Sequence, residues 1–282
     1  MGKMTDALKR VTEERITHVE RKKEVTSVGY ILTQKADSKI DPRVVSYHEP
    51  ASPISEQYKM LRTNILTMGA KRNLKTFVVS SSIHGEGKSV TSTNLAFVLA
   101  EDLNAKSVLL IDADLRKSRV SRLLGLGPRP GLADVLSNGM SLSDVLVDIG
   151  VKNLTVMPGG KTPKNPAELL GSVKMKQLIT ELKGQFDTII FDAPPIINVT
   201  DPGVLGAQTD GVFFVVQAGR TQRTSIQHAE HLLAQAHAKI LGYIVTNVEY
   251  HLPEYLYRYV ERHPEMDAET IVPKSTEQPT SS

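Results

Sequence analysis

Between residues 76 and 249, short runs rich in Val, Ile, Leu and Phe alternate with longer stretches of helical period. The runs fall at 76–80, 107–111, 154–157, 187–191, 211–217 and 240–245. Each is continuously apolar rather than alternating, the pattern of a strand covered on both faces. The stretches 88–102, 166–182 and 225–237 supply helices between them. This repetition predicts an α/β fold, a parallel sheet flanked by helices on both faces. A further helix is expected after Pro53, capped by Ser55, continued by Glu56, Tyr58, Leu61, Arg62, Ile65 and Leu66, and ending near Gly69. Residues 1–52 are polar and charged, with Met4, Leu8 and Val11 spaced as one short amphipathic helix. Residues 250–282 are polar and interrupted by Pro253, Pro264, Pro273 and Pro279, a composition too poor in apolar surface to pack. The expected division is a partly helical arm over 1–52, a domain over 53–249, and a largely disordered tail over 250–282.

Composition narrows the chemistry. The 282 residues include no cysteine, which excludes disulfides, thiolate metal sites and cysteine nucleophiles. Thirty-four Lys and Arg against 31 Asp and Glu leave a net charge of +3, too little to argue a nucleic-acid partner. No apolar run approaches the roughly 18 residues of a spanning helix. The start, Met1 to Asp6, has no apolar secretion segment, and Asp6 stands where a myristoylation motif needs Ser or Thr.

The strongest motif is Ser82-Ile83-His84-Gly85-Glu86-Gly87-Lys88-Ser89, lying between a predicted strand and a predicted helix. That context is what a P-loop requires. Its glycines let the backbone curl so that N–H groups face phosphate oxygens, and the helix N-terminus adds partial positive charge. Gly85, Glu86, Gly87, Lys88, Ser89 and Val90 would contact nucleotide, with Lys88 on the β- and γ-phosphates and Ser89 on Mg²⁺. The first position is Ser82 rather than the consensus Gly.

Two acidic stretches complete a nucleotide site. The run 107–111 leads into Asp112-Ala113-Asp114-Leu115-Arg116, and 187–191 leads into Asp192-Ala193-Pro194-Pro195. Both put carboxylates at the C-terminal ends of buried strands, the edge where open α/β sheets bind ligands. Such a carboxylate can order the Mg²⁺ shell or accept a proton from a nucleophile. Taken alone, Asp112-x-Asp114 also fits the metal site of a sugar-nucleotide transferase, and three acids at strand ends also fit a structural role. His228 and His231, three apart on a helix, read as a solvated face.

Together these stretches resemble the bacterial tyrosine kinases of capsule and exopolysaccharide biosynthesis, a branch of the MinD/ParA-like P-loop ATPases. The resemblance spans roughly residues 52–259. Its most diagnostic piece is Leu110-Ile111-Asp112-Ala113-Asp114-Leu115-Arg116. Lys164-Asn165-Pro166-Ala167-Glu168-Leu169-Leu170 resembles the family's Asn-Pro-x-Glu-Leu-Leu segment, and Glu56, Lys59 and Arg62 resemble its oligomerisation helix, with Lys59 in place of an arginine. The resemblance implies ATP and Mg²⁺ as cofactors. It makes Asp112 the base for an incoming tyrosine, sets Asp114 and Asp192 on Mg²⁺ beside catalytic Lys88, and puts Asn247 near adenine. Half of the eight tyrosines, Tyr250, Tyr255, Tyr257 and Tyr259, fall within ten residues. The resemblance makes them phosphoacceptors, modified in trans within a homo-oligomer, with the added charge favouring dissociation. It also implies a membrane-anchored activator of polysaccharide assembly, which would hold the chain at the inner face of the plasma membrane; with no spanning run in this sequence, that activator is expected to be a separate chain, and the charged N-terminal arm is a candidate for docking it.

Two other functions fit the same P-loop. One is a MinD/ParA-like ATPase switch that positions a membrane partner without phosphorylating tyrosine. The other is a nucleotide-sensing scaffold. Ser82-Ile83-His84 lacks the additional lysine those switches often carry, and the C-terminus lacks a basic amphipathic helix.

Overall fold

A computed structural model describes residues 40–101 and 107–248. The predicted N-terminal helix around Met4 and the tyrosines from Tyr250 onward lie outside the described residues. Seven strands form one sheet: β1 (Thr76–Ser81), β2 (Val108–Asp112), β3 (Val147–Asp148), β4 (Leu154–Met157), β5 (Thr188–Asp192), β6 (Val212–Gln217) and β7 (Ile240–Thr246). Their order is β3-β4-β2-β5-β1-β6-β7. Every pair is parallel except β3 with β4. The sheet is therefore the expected α/β architecture, with one antiparallel edge strand that escaped prediction because it is only two residues long.

Continuous hydrophobicity follows from burial on both faces. Alternate residues of each central strand feed opposite layers. Val78, Leu109, Ile111, Ile189, Phe191 and Phe214 join one core. Phe77, Val79, Val108, Leu110, Ile190 and Phe213 join the other. A strand with period-2 polarity could not serve two cores.

The second core is roofed by α1 (Val45–His48), α2 (Pro53–Arg72) and α3 (Lys88–Ala100). The cap of α2 is Ser52 rather than Ser55: the Ser52 hydroxyl accepts from the Ser55 amide at 3.2 Å, Pro53 takes the first turn, and the Ser55 hydroxyl donates to the Glu49 carbonyl at 2.7 Å. The helix passes Gly69 and ends at Asn73, whose left-handed φ of 51° stops it. The expected polar arm also ends earlier than residue 52. Ile40 and Val44 are buried in this core, and Asn94 of α3 ties the segment down through the Ser46 amide (2.9 Å) and the Arg43 carbonyl (3.0 Å). At the other end, the compact unit closes at Thr246.

Four further elements follow β2: α4 (Val120–Leu123), α5 (Leu132–Asn138), α6 (Leu142–Val145) and α7 (Pro166–Leu170). The first core is covered partly by α8 (Val173–Lys183), with α9 (Asp201–Gly206) and α10 (Arg223–Gln235) completing the chain order. The single helix expected over 166–182 is two helices, α7 and α8. Ser172 breaks it: its backbone is extended and its hydroxyl accepts from the Met175 amide at 3.2 Å, starting α8 afresh. Among the described residues, no helix is long and apolar enough to cross a membrane.

Candidate active site

The site forms at the C-terminal edge of β1, β2 and β5, the three central strands. The P-loop leaves β1 and enters α3 at Gly87. Gly85 and Gly87 sit at φ of 88° and 94°, where a side chain would be strained. Lys88 and Ser89, the first residues of α3, are buried.

Sheet register gathers the carboxylates. Asp112 and Asp192 are direct partners across β2 and β5, so two acids 80 positions apart become neighbours. Lys88 Nζ stands among them, 3.1 Å from Asp114 Oδ2, 3.7 Å from Asp192 Oδ2 and 3.2 Å from Ser89 Oγ. Burial alone would depress Lys88. The Asp192 and Asp114 carboxylates outweigh it and leave Lys88 above its ordinary value. The expected residues Lys88, Ser89, Asp112, Asp114 and Asp192 are thus brought together.

Their environments differ. Asp112 Oδ2 accepts from Ser118 Oγ at 2.5 Å and from the Val120 amide at 3.0 Å, and Oδ1 accepts from the Asp114 amide at 3.2 Å. Burial, and then the Asp192 charge, nevertheless push Asp112 up to about 7. Three of its four lone-pair positions are used, which leaves one open. Asp192 is fully buried, and among the described residues neither oxygen has a hydrogen-bond partner. Burial raises it too, opposed by Lys88 and by the nearby Ser89 and Ser92 hydroxyls. A carboxylate with two unsatisfied buried oxygens beside a serine hydroxyl is an oxygen donor set of the kind a hard divalent cation takes.

A cavity of about 170 Å³ opens at the loop, lined by His84, Gly85, Gly87, Lys88, Ser89 and Val90 together with Arg43, Arg119, Arg122 and Leu123. Glu86 belongs to the loop by sequence, yet its carboxylate is 1% exposed and occupied internally, by Ser82 Oγ, the Ile83 amide at 2.8 Å and Thr221 Oγ1. Its side chain is therefore not free to meet a phosphate. Asn247 follows β7 directly with a left-handed φ of 55°. Glu56 and Lys59 pair at 2.7 Å, Lys59 also reaches the Pro50 carbonyl, and Arg62 donates to the Val98 carbonyl of α3 at 2.9 Å.

Sequence reasoning missed several members. Ser118 is one. Asp201 is another: fully buried, it holds Arg116 through two parallel bonds of 2.9 and 3.1 Å. The Asp-Pro pair at 201–202 signals a helix start, but nothing local points it at Arg116. Arg43 was missed because the domain was expected to begin later.

A buried parallel sheet, a glycine loop opening a helix and carboxylates on the two adjacent strands define a P-loop nucleotide-binding protein of the α/β class. Residues 74–240 match the AAA_31 family, described as an AAA domain. Tyrosine-protein kinase YwqD of Bacillus subtilis is 40% identical over 214 residues, covering 76% of this chain and 90% of that protein. Tyrosine-protein kinase CpsD of Streptococcus agalactiae is 39% identical over 199 residues, covering 70% of this chain and 85% of that one. The kinase domain of the Escherichia coli tyrosine kinase ETK superposes with a TM-score of 0.72 at 26% identity, covering 79% of this chain and 86% of that domain. The chain belongs to the bacterial tyrosine-protein kinases.

Proposed function

We propose that this kinase transfers the γ-phosphoryl group of Mg·ATP to tyrosines of neighbouring copies, at Tyr250, Tyr255, Tyr257 and Tyr259, and so regulates capsule or exopolysaccharide assembly and export. The observation that carries the reading is the pairing of Asp112 with Asp192 beside Lys88, at the mouth of the P-loop. A tyrosine hydroxyl has a pKa near ~10 and needs a base to attack at neutral pH. Asp112 sits at about 7, high enough to take that proton and still be largely ionised at slightly alkaline pH. The tyrosine oxygen then forms its bond to phosphorus. The bond to the β-phosphate oxygen breaks, and the electron pair leaves with ADP. Lys88 offsets the charge on the phosphates, and the loop amides orient them.

Ser89, Asp114 and Asp192 suit Mg²⁺, which when bound would neutralise phosphate charge. Asn247 is the proposed adenine contact. Glu56, Lys59 and Arg62 lie on the helix proposed to join copies into an oligomer. A separate membrane-anchored activator would hold the kinase at the inner membrane face. The proposed division is an arm before the buried Ile40, the kinase from there to about residue 249, and a tyrosine-bearing tail over 250–282.

The test is a phosphosite map. The purified chain is incubated with Mg·ATP, with and without the cytoplasmic segment of the partner, beside Lys88→Met. Phosphotyrosine in the tail that depends on Lys88 is expected. ATP turnover with no phosphotyrosine under either condition would replace the kinase with an ATPase switch.

A further inference from the structure

The departure at Ser82 has a structural reason. Ser82 Oγ lies 3.0 Å from each oxygen of Glu86, inside the loop. Glu86 also accepts from the Ile83 amide and from Thr221 Oγ1, which reaches in from the turn after β6. A consensus glycine would take one donor away from a buried carboxylate.

The same turn holds the outside of the loop. Arg220 donates from one nitrogen to the Gly85 carbonyl at 2.9 Å and from the other to the His84 carbonyl at 3.1 Å. Gln217 Oε1 braces the guanidinium at 3.1 Å. Thr246, the last residue of β7, donates to the Glu86 carbonyl at 2.9 Å. Three consecutive carbonyls, of residues 84, 85 and 86, are therefore held by side chains that lie outside the 82–89 loop motif. A trans peptide is planar, so each carbonyl points opposite to the N–H of the next residue. Fixing these carbonyls orients the N–H groups of Gly85, Glu86 and Gly87, the groups a P-loop uses to bind phosphate.

We infer that Arg220, Thr221 and Thr246 are positioning residues for nucleotide binding, aiming the P-loop amides by holding the opposite ends of the same peptide planes, with the Glu86 carboxylate as an internal strut. This rests on the nucleotide site of the proposed function. It does not depend on which group accepts the phosphate. Arginine suits the task because its planar fork reaches two acceptors at once, which an ammonium cannot do in fixed geometry.

The test uses the full chain and the variants Arg220→Ala, Arg220→Lys, Thr221→Val and Ser82→Gly. Affinities for Mg·ADP and Mg·ATP are read by titration calorimetry, alongside the unfolding midpoint of the nucleotide-free protein. Arg220→Ala should weaken both nucleotides about tenfold, the loss of one or two charge-assisted bonds, with the midpoint unchanged. Arg220→Lys should recover part of that loss. Ser82→Gly, closer to consensus, should bind about threefold more weakly rather than more tightly. In turnover, KM for ATP should rise by a larger factor than kcat falls. An Arg220→Ala chain that binds within twofold of wild type would overturn the inference, as would weakening that only tracks a lowered midpoint. A wild-type chain that binds neither nucleotide would sink the proposed function and this inference together. One that binds nucleotide but forms no phosphotyrosine would sink only the kinase chemistry.

Discussion

The two ends of the same sheet treat their carboxylates in opposite ways. At the N-terminal edge, Asp210 accepts from the Lys75 amide (2.8 Å), the Thr76 amide (2.7 Å) and the Thr76 hydroxyl (3.0 Å), with Lys183 at 3.3 Å. Burial works to raise it, but the bonds from Thr76 and Lys75 win and its pKa falls. At the C-terminal edge, Asp112 and Asp192 are buried side by side and both are raised. Among the described residues, neither Asp192 oxygen has a hydrogen-bond partner, and its nearest cation, Lys88, stands 3.7 Å away. The first arrangement is that of a group whose work is holding a strand in place. The second keeps a cost in the folded protein, which a metal ion or a proton can relieve.

The comparison can be broken most severely at Lys88. Lys88→Met removes the cation shared by Asp114 and Asp192, and Lys88-dependent phosphotyrosine should fall by at least about a hundredfold in a radiolabel assay. Asp112→Asn should lower the rate by about 10²–10⁴-fold, whereas Asp210→Ala should leave it within about twofold and instead cost ~2 kcal/mol in denaturant melts, by orphaning two backbone amides. Equal effects of the two substitutions on rate would erase the distinction between the edges.

Arg116→Gln leaves Asp201 buried without its cation. It should destabilise the fold by about 2 kcal/mol, toward the low side for a buried pair because Arg116 is itself 40% exposed. Last comes pH. Asp112 is raised in the folded chain, so its protonated form stabilises the fold below the unfolded value of 3.8, and this contribution is lost as pH rises through about 7. Activity should move the other way, rising as pH passes about 7 and Asp112 becomes a base. Asp210, being lowered, should contribute stability that is lost only on acidification. Parallel pH profiles of melting and turnover in wild type and Asp112→Asn would separate the two edges, and identical profiles would contradict the assignment.

Much of the fold was readable because burial on both faces leaves a plain mark. Val108-Leu109-Leu110-Ile111 and Thr188-Ile189-Ile190-Phe191 stand out as continuous apolar runs. The P-loop was readable for a similar reason, since Gly85, Gly87, Lys88 and Ser89 act within a single turn. Boundaries were less legible. Ser55 and Ser52 are equally good caps by composition, and the choice fell to the contact with Glu49. The break at Gly171-Ser172 carried a local mark, a glycine C-cap followed by a capping serine, but the helical spacing of apolar residues continued across it.

By itself the sequence determined which segments are buried strands, where phosphate would sit, and which acids end those strands, because each of these rests on residues close together in the chain. Only the tertiary structure decided that Asp112 would lie beside Asp192, that Asp201 would hold Arg116, and that Arg220, Thr221 and Thr246 would reach the loop. Those contacts span 80 to 160 positions. Strand order and register create them, and no local pattern of polarity records which strand lies next to which.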